Sequence, residues 1–292
     1  MSRVVLRAGD LTATVGDNGS EGRHRAGYNG LWELRHRSCE RSLFVPEYAG
    51  LNLEHIFDGD TEFRPGLFFE PRTSPMELHP ISETEAELYQ PETPATHVES
   101  WTRFRLVPPH YVDMNFRFVP HKACFQHGYV GVFWASYIHA PEDKSMYFLG
   151  GSSSAKPLWT QLCTQVHNDE STVRAFGDDH VLKVNDTTRG TLYNSMSPHR
   201  FAEPFFYGTF EELTWLVMFE RGPVVRLSHS PSGGGVDETR KTTSPAWDHQ
   251  LILPTYEVGR EYTLRVRAAL MPRCTRDAVL GEVATWAARN AP

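Results

Sequence analysis

A chain of 292 residues holds enough material for one large domain or two ordinary ones, with a substantial buried core. Its 29 Lys and Arg against 36 Asp and Glu leave a formal charge of −7, which lacks the cationic footprint of a phosphate-backbone binder and excludes nucleic acid as the expected partner. A hydrophobic share of 40% excludes global disorder, and 12% aromatic residues with 20 prolines lean toward β structure.

The N-terminal apolar run, Val4-Val5-Leu6, is shorter than the roughly 7–15 residues of a signal peptide. The most apolar stretch elsewhere, 130–138, falls short of the ~20 residues that span a bilayer. A soluble cytoplasmic protein without a membrane partner is therefore expected. Leu11, Ala13 and Val15 open a period-two alternation that recurs along most of the chain. Residues 81–90, 97–106 and 111–118 read as three antiparallel strands joined by Pro-marked turns, each with one apolar face. Further strands are expected at 129–139, 146–149, 181–184, 191–194, 205–210, 213–219, 224–228, 250–253 and 262–271. One helix stands out at about 276–289, with Thr275 as its cap, Val279, Val283, Trp286 and Ala287 on one face, and Asn290 as its stop. The loop 230–245, with Gly233-Gly234-Gly235, has no following Lys-Ser/Thr and reads as a mobile loop rather than a phosphate cradle. Cys39, Cys124, Cys163 and Cys274 form no CxxC and read as free thiols.

With no repeat and no composition shift, residues 1–292 are expected to form a single all-β domain: a large antiparallel β-sandwich with a short C-terminal helix. Gly27-Tyr28-Asn29-Gly30-Leu31-Trp32-Glu33-Leu34, then Phe69-Glu70-Pro71-Arg72, then the run 98–119, resemble the galactose mutarotase-like (aldose 1-epimerase) superfamily. The resemblance implies a supersandwich whose polar concave face binds sugars. The His-Pro-Tyr-Phe stretch that carries a catalytic histidine in that superfamily is absent. Its nearest counterparts are His127-Gly128-Tyr129 and Ser136-Tyr137-Ile138-His139.

Along 127–139, His127, Tyr129, Gly131, Phe133, Ala135, Tyr137 and His139 share one parity; Val130, Val132, Trp134 and Ile138 share the other, which suits a core. A bulge between Gly131 and Ala135 would reverse this assignment. His127 and His139 are the candidate acids, and Glu203 (among aromatics that would raise its pKa) and Asp248 the candidate bases. Arg72 is placed as a clamp, His97 as a residue sharing a strand face with Glu99, and Tyr137 and Trp247 as further substrate contacts. Asp178-Asp179-His180 and Glu54-His55 with Asp58-Gly59-Asp60 offer ligand types without a metal spacing, so neither a metal nor another cofactor is expected. The leading expectation is a sugar 1-epimerase, in which a carboxylate takes the anomeric proton while a histidine protonates the ring oxygen. Alternatives are a glycoside hydrolase, a uronate lyase built on Arg72 and Tyr137, and a carbohydrate-binding sandwich without catalysis. The oligomeric state is not legible.

Overall fold

A computed structural model describes residues 2–60, 67–185 and 191–289. Strands β1 (Arg3–Ala8), β2 (Leu11–Gly16) and β3 (Gly30–His36) form a small antiparallel sheet. There follow β4 (Asn52–Phe57), the short helix α1 (Glu70–Thr73), β5 (Glu77–Ser82), β6 (Glu85–Gln90), β7 (Val98–Val107), β8 (Tyr111–Pro120) and β9 (Val130–Ala135). Next come β10 (Met146–Gly151), β11 (Leu158–Leu162), β12 (Thr172–Ala175), β13 (Met196–Phe201), β14 (Phe205–Phe210), β15 (Leu213–Phe219) and β16 (Val224–Ser230). The two-residue strands β17 (Val236–Asp237) and β18 (Thr242–Thr243) precede β19 (Ala246–Leu253), β20 (Tyr262–Pro272) and α2 (Arg276–Arg289).

Among the described residues, fifteen strands make one sheet in the order β4-β9-β19-β16-β12-β13-β10-β14-β15-β20-β8-β7-β6-β5, with β11 added on β10. Val132 of β9, Leu227 of β16 and Leu251 of β19 share one buried cluster with Phe104 of β7, Phe116 of β8 and Val266 of β20. The two halves of the sheet therefore face each other across a common core, as a β-sandwich. Alternation along each strand decides the rest. On one outer face, Val279, Val283 and Trp286 of α2 cover Leu216, Met218, Ala269 and Met271. The Thr275 hydroxyl accepts from the Ala278 N–H at 3.3 Å, as the sequence leads one to expect of a cap. On the other outer face, Phe57, Phe133, Ala135, Tyr137, Ala246 and Ile252 line a second, smaller cluster over β4, β9 and β19. No described helix is long and apolar enough to cross a membrane.

Several expected elements differ. Residues 81–90 are two strands, because the Ser82 hydroxyl accepts from the Thr84 N–H at 3.2 Å and closes a turn there. Residues 181–184 are not a strand, and Val181 is 88% exposed. Residues 191–194 form a turn, closed by Thr191 N–H donating to Asn194 Oδ1 at 2.7 Å. The glycine loop is paired: Gly234 N–H donates to Ser244 O at 2.9 Å, and Ser244 N–H to Gly235 O at 2.8 Å, beside the β17–β18 hairpin. Close approach demands the glycines, since a Cβ on Gly234 would lie 2.8 Å from the Ser244 Cβ. Asn290 lies outside the described residues.

Candidate functional site

The site begins with an irregularity in β4. Leu53 pairs with Trp134 and His55 with Phe133, so Glu54 is an extra residue opposite no partner, a β-bulge on an edge strand of the sheet. The consequence is a phase slip. Leu53 and Ile56 enter the core, while Glu54 and His55, although adjacent, both belong to the outer face. Strict alternation would have sent one of them inward.

Glu54 is the hub. Its Oε2 accepts from Tyr137 Oη at 2.5 Å and from Asn52 Nδ2 at 3.0 Å; its Oε1 accepts from Arg72 Nη1 at 3.2 Å. Three donors thus meet on one carboxyl. His55 donates from Nδ1 to Phe68 O at 2.5 Å, because a carbonyl can only accept. Burial pushes the His55 pKa below its ordinary value, against the pull of Glu54. The neutral ring therefore carries its lone pair on Nε2, 3.5 Å from Glu54 Oε1. Two acceptors thus face each other there, an arrangement that suits a hydroxyl group from a ligand. Phe68, Phe69, Phe133 and Tyr193 surround the imidazole with ring centroids 4.2–5.9 Å away.

Arg72 is delivered by α1, whose Glu70 carboxylate accepts from Ala95 N–H at 2.7 Å and Thr96 N–H at 2.8 Å. Its Nε donates to Gly27 O at 2.8 Å, and Gly27 adopts φ +92°, a conformation glycine supplies without strain. The guanidinium lies 4.0 Å above the Tyr28 ring, which packs on Tyr48 at 4.7 Å, and both tyrosines pack on Tyr137. Burial lowers the Arg72 pKa, but Glu54 and the phenols outweigh it and raise the net value. Burial first, then the Glu54 charge, hold the Tyr137 pKa well above ordinary, so its phenol stays a donor.

The residues singled out from sequence are only partly brought together. Arg72 and Tyr137 both touch Glu54. Asp248 lies on the same face, wholly buried, with Oδ1 accepting from Ser136 N–H at 3.0 Å. Burial raises its pKa far above the ordinary value and the Glu54 charge adds to that, against the Ser136 bond. Burial thus favours the protonated form of Asp248. His127 is bonded to Asn185 at 2.8 Å and His139 to Asp237 at 3.1 Å in a separate cavity, so they do not share one groove. Phe133, Ala135 and Tyr137 do share the expected outer face, and the bulge falls on β4 rather than in 131–135. Glu203 is partly exposed and ion-paired with Arg221 at 2.6 Å, in a cleft beside α2 that Phe219 and Trp286 also line, away from Glu54. His97 has φ +51° and precedes β7, so it bonds Glu92 at 2.7 Å instead of lying beside Glu99. Trp247 faces the core with no exposure, its Nε1 donating to Lys144 O at 2.9 Å, and cannot touch a substrate. Among the described residues no three His, Cys, Asp or Glu converge as metal ligands; Asp178 is held by Arg226 at 2.7 Å.

Glu54, His55, Tyr28 and Tyr48 were not singled out for acid–base or sugar contact. A signal for the first two exists: Leu53 and Ile56 are core residues three apart inside a six-residue strand, which only a bulge reconciles with a period of two.

The architecture is the galactose mutarotase-like fold. A structure from Escherichia coli K12, provisionally described as an aldose 1-epimerase, superposes on 93% of this chain and 99% of its own, with TM-score 0.53 and 8% identity. An aldose epimerase homologue from Caenorhabditis elegans covers 93% and 99% at TM-score 0.52, also with 8% identity. A galactose mutarotase-like protein from Lactobacillus casei ATCC 334 covers 92% and 99% at TM-score 0.50 and 8% identity. At such identity the likeness is one of fold. No protein-family model and no curated protein sequence matches the chain.

Proposed function

We propose that the protein is a sugar 1-epimerase whose acid–base pair is Glu54 and Tyr137. The observation that carries this reading is the 2.5 Å hydrogen bond from Tyr137 Oη to Glu54 Oε2, beside the lone pair of His55 and inside a rim of tyrosines and Arg72. Mutarotation moves one proton from the anomeric oxygen to the ring oxygen and back. Glu54 takes the anomeric proton as the C1–ring oxygen bond breaks, and Tyr137 gives its own proton to the ring oxygen. The protonated Glu54 then restores the phenol across their hydrogen bond, so the relay ends as it began. The open-chain aldehyde turns about C1–C2 and recloses on either face by the reverse steps. His55 Nε2 accepts a neighbouring sugar hydroxyl, and the Tyr28 and Tyr48 rings offer apolar surface to sugar C–H faces.

The rival chemistries fit the geometry less well. A uronate lyase needs its arginine free for the substrate carboxylate, whereas Arg72 is engaged by Glu54 and Gly27 O. A hydrolase needs a second carboxyl exposed across the scissile bond, and Asp248 is buried with one oxygen bonded to backbone. The test is the anomeric relaxation of freshly dissolved α-aldoses, followed by polarimetry or NMR. The protein should accelerate it, and Glu54→Gln should lose about 10²–10⁴-fold of the acceleration. An unaltered spontaneous rate across common hexoses and pentoses, or a fully active Glu54→Gln, overturns the reading.

A further inference from the structure

A cavity of about 740 Å³ opens next to the site and plays no part in the proton relay. It adjoins the site, because Val45 and Tyr48 belong to the apolar cluster around Tyr137 and also line the cavity. Tyr48 stands between the two, 5.0 Å from the Tyr137 ring on one side and 5.5 Å from the Arg25 guanidinium on the other. The volume falls in the range of pockets that enclose a whole small ligand, far more than one hydroxyl of a monosaccharide held at Glu54 requires.

The chemistry of the lining defines the guest. Arg23, Arg25, Arg41 and Arg240 meet Glu47, Asp237 and Glu238, and Arg41 and Arg240 both donate to Glu211. Four positive charges thus face three negative ones in the lining, and Glu211, paired with Arg41 and Arg240, supplies a fourth, so the cavity keeps little net charge to attract an anion or a cation. It offers many fixed planar donors and acceptors beside one aromatic ring. That combination recognises an uncharged polyhydroxylated molecule, whose hydroxyls bond to guanidinium and carboxylate edges while its C–H faces rest on the tyrosine. The β17–β18 hairpin, closed by the Gly234 and Gly235 bonds to Ser244, forms the wall that carries Asp237 and Glu238.

We propose that this cavity is a neutral-sugar subsite, and that the substrate is a short reducing oligosaccharide whose terminal aldose sits at Glu54 while its next units occupy the cavity. This rests on the epimerase reading for where the reducing end lies. The test is a series of reducing gluco-, galacto- and manno-oligosaccharides of one to four units. Each is measured twice: for anomeric turnover, and for binding by calorimetry. In at least one series, KM and Kd should fall about tenfold or more from one unit to three. Arg240→Ala and Glu238→Gln, both surface changes compatible with folding, should each remove most of that gain. Chain-length-dependent binding that these variants abolish, without turnover of any sugar, supports the subsite and overturns the epimerase reading. Turnover with the same KM for one unit and for three in every series overturns the subsite and leaves the epimerase standing. Absence of both binding and turnover sinks both, and tighter binding of galacturonate or inorganic phosphate than of any neutral oligosaccharide sinks the neutral subsite.

Discussion

Glu54 lies close enough for its charge to reach Asp248, and the surroundings of the two carboxyls differ. Glu54 is met by three donors, whereas Asp248 is met by burial and one backbone N–H. Asp248→Asn keeps the acceptor for Ser136 N–H and removes a carboxyl whose ionisation burial opposes. It should melt no lower than the parent and retain activity within a few-fold, while Glu54→Gln abolishes it; a dead, well-folded Asp248→Asn would reassign the base. His55 adds a pH signature. Its pKa in the folded protein lies below the ordinary value because of burial, so the unprotonated ring persists below pH 6.5. The rate should therefore hold level down through pH 6.5 and drop only on its acid side. An acidic limb centred at or above 6.5 would mean that another group controls the profile.

At the scale of elements, legibility follows regularity. β7 and β8 alternate without interruption over ten residues each, and α2 combines a cap with a clean apolar stripe, so their pattern is readable directly. β4 hides its function because one inserted residue breaks the rule on which such reading depends. Arg72 and Tyr137 were visible as residue types in the right elements, but their common partner was not. The facing of β9 is a direct case of readable alternation: Val132 has no exposure and sits in the common core, whereas Phe133 faces the site. Val132→Asp buries a charge without a partner there and should leave little folded protein, seen as loss of the cooperative transition in urea. His139→Ala, which removes a partly exposed contact to Asp237 in the neighbouring cavity, should fold normally.

Across the molecule several histidines sit where burial opposes protonation, His229 and His249 most strongly. Burial drives the His229 pKa down to about 4 and the His249 pKa down to about 3, from the ordinary 6.5. His249 stacks on Trp134 within the core, and among the described residues neither of its nitrogens has a hydrogen-bond partner. Between pH 6.5 and 4 the unfolded chain binds protons that the folded one refuses, so stability is full above 6.5 and falls as pH drops. A depression of that size corresponds to roughly 3 kcal/mol at one histidine, against a total of about 5–15 for a typical fold. Urea midpoints should therefore decline steadily from pH 7 to 4, and His249→Leu should make the decline shallower by about one proton while raising stability at neutral pH. An unchanged slope in His249→Leu would place the acid sensitivity elsewhere.

The phase slip in β4 also bears on how the reactive carboxyl relates to the scaffold. With Glu54 excised altogether, Leu53 and His55 would become neighbours in a strand that alternates perfectly, still opposite Trp134 and Phe133. The shortened chain would lack its proton acceptor and yet regain an ordinary ladder. In that sense the carboxyl is an insertion carried by the sheet, not a part the sheet needs. A 291-residue deletion form should accordingly fold at least as stably as Glu54→Gln while being as inert, a result read from paired melting and mutarotation curves.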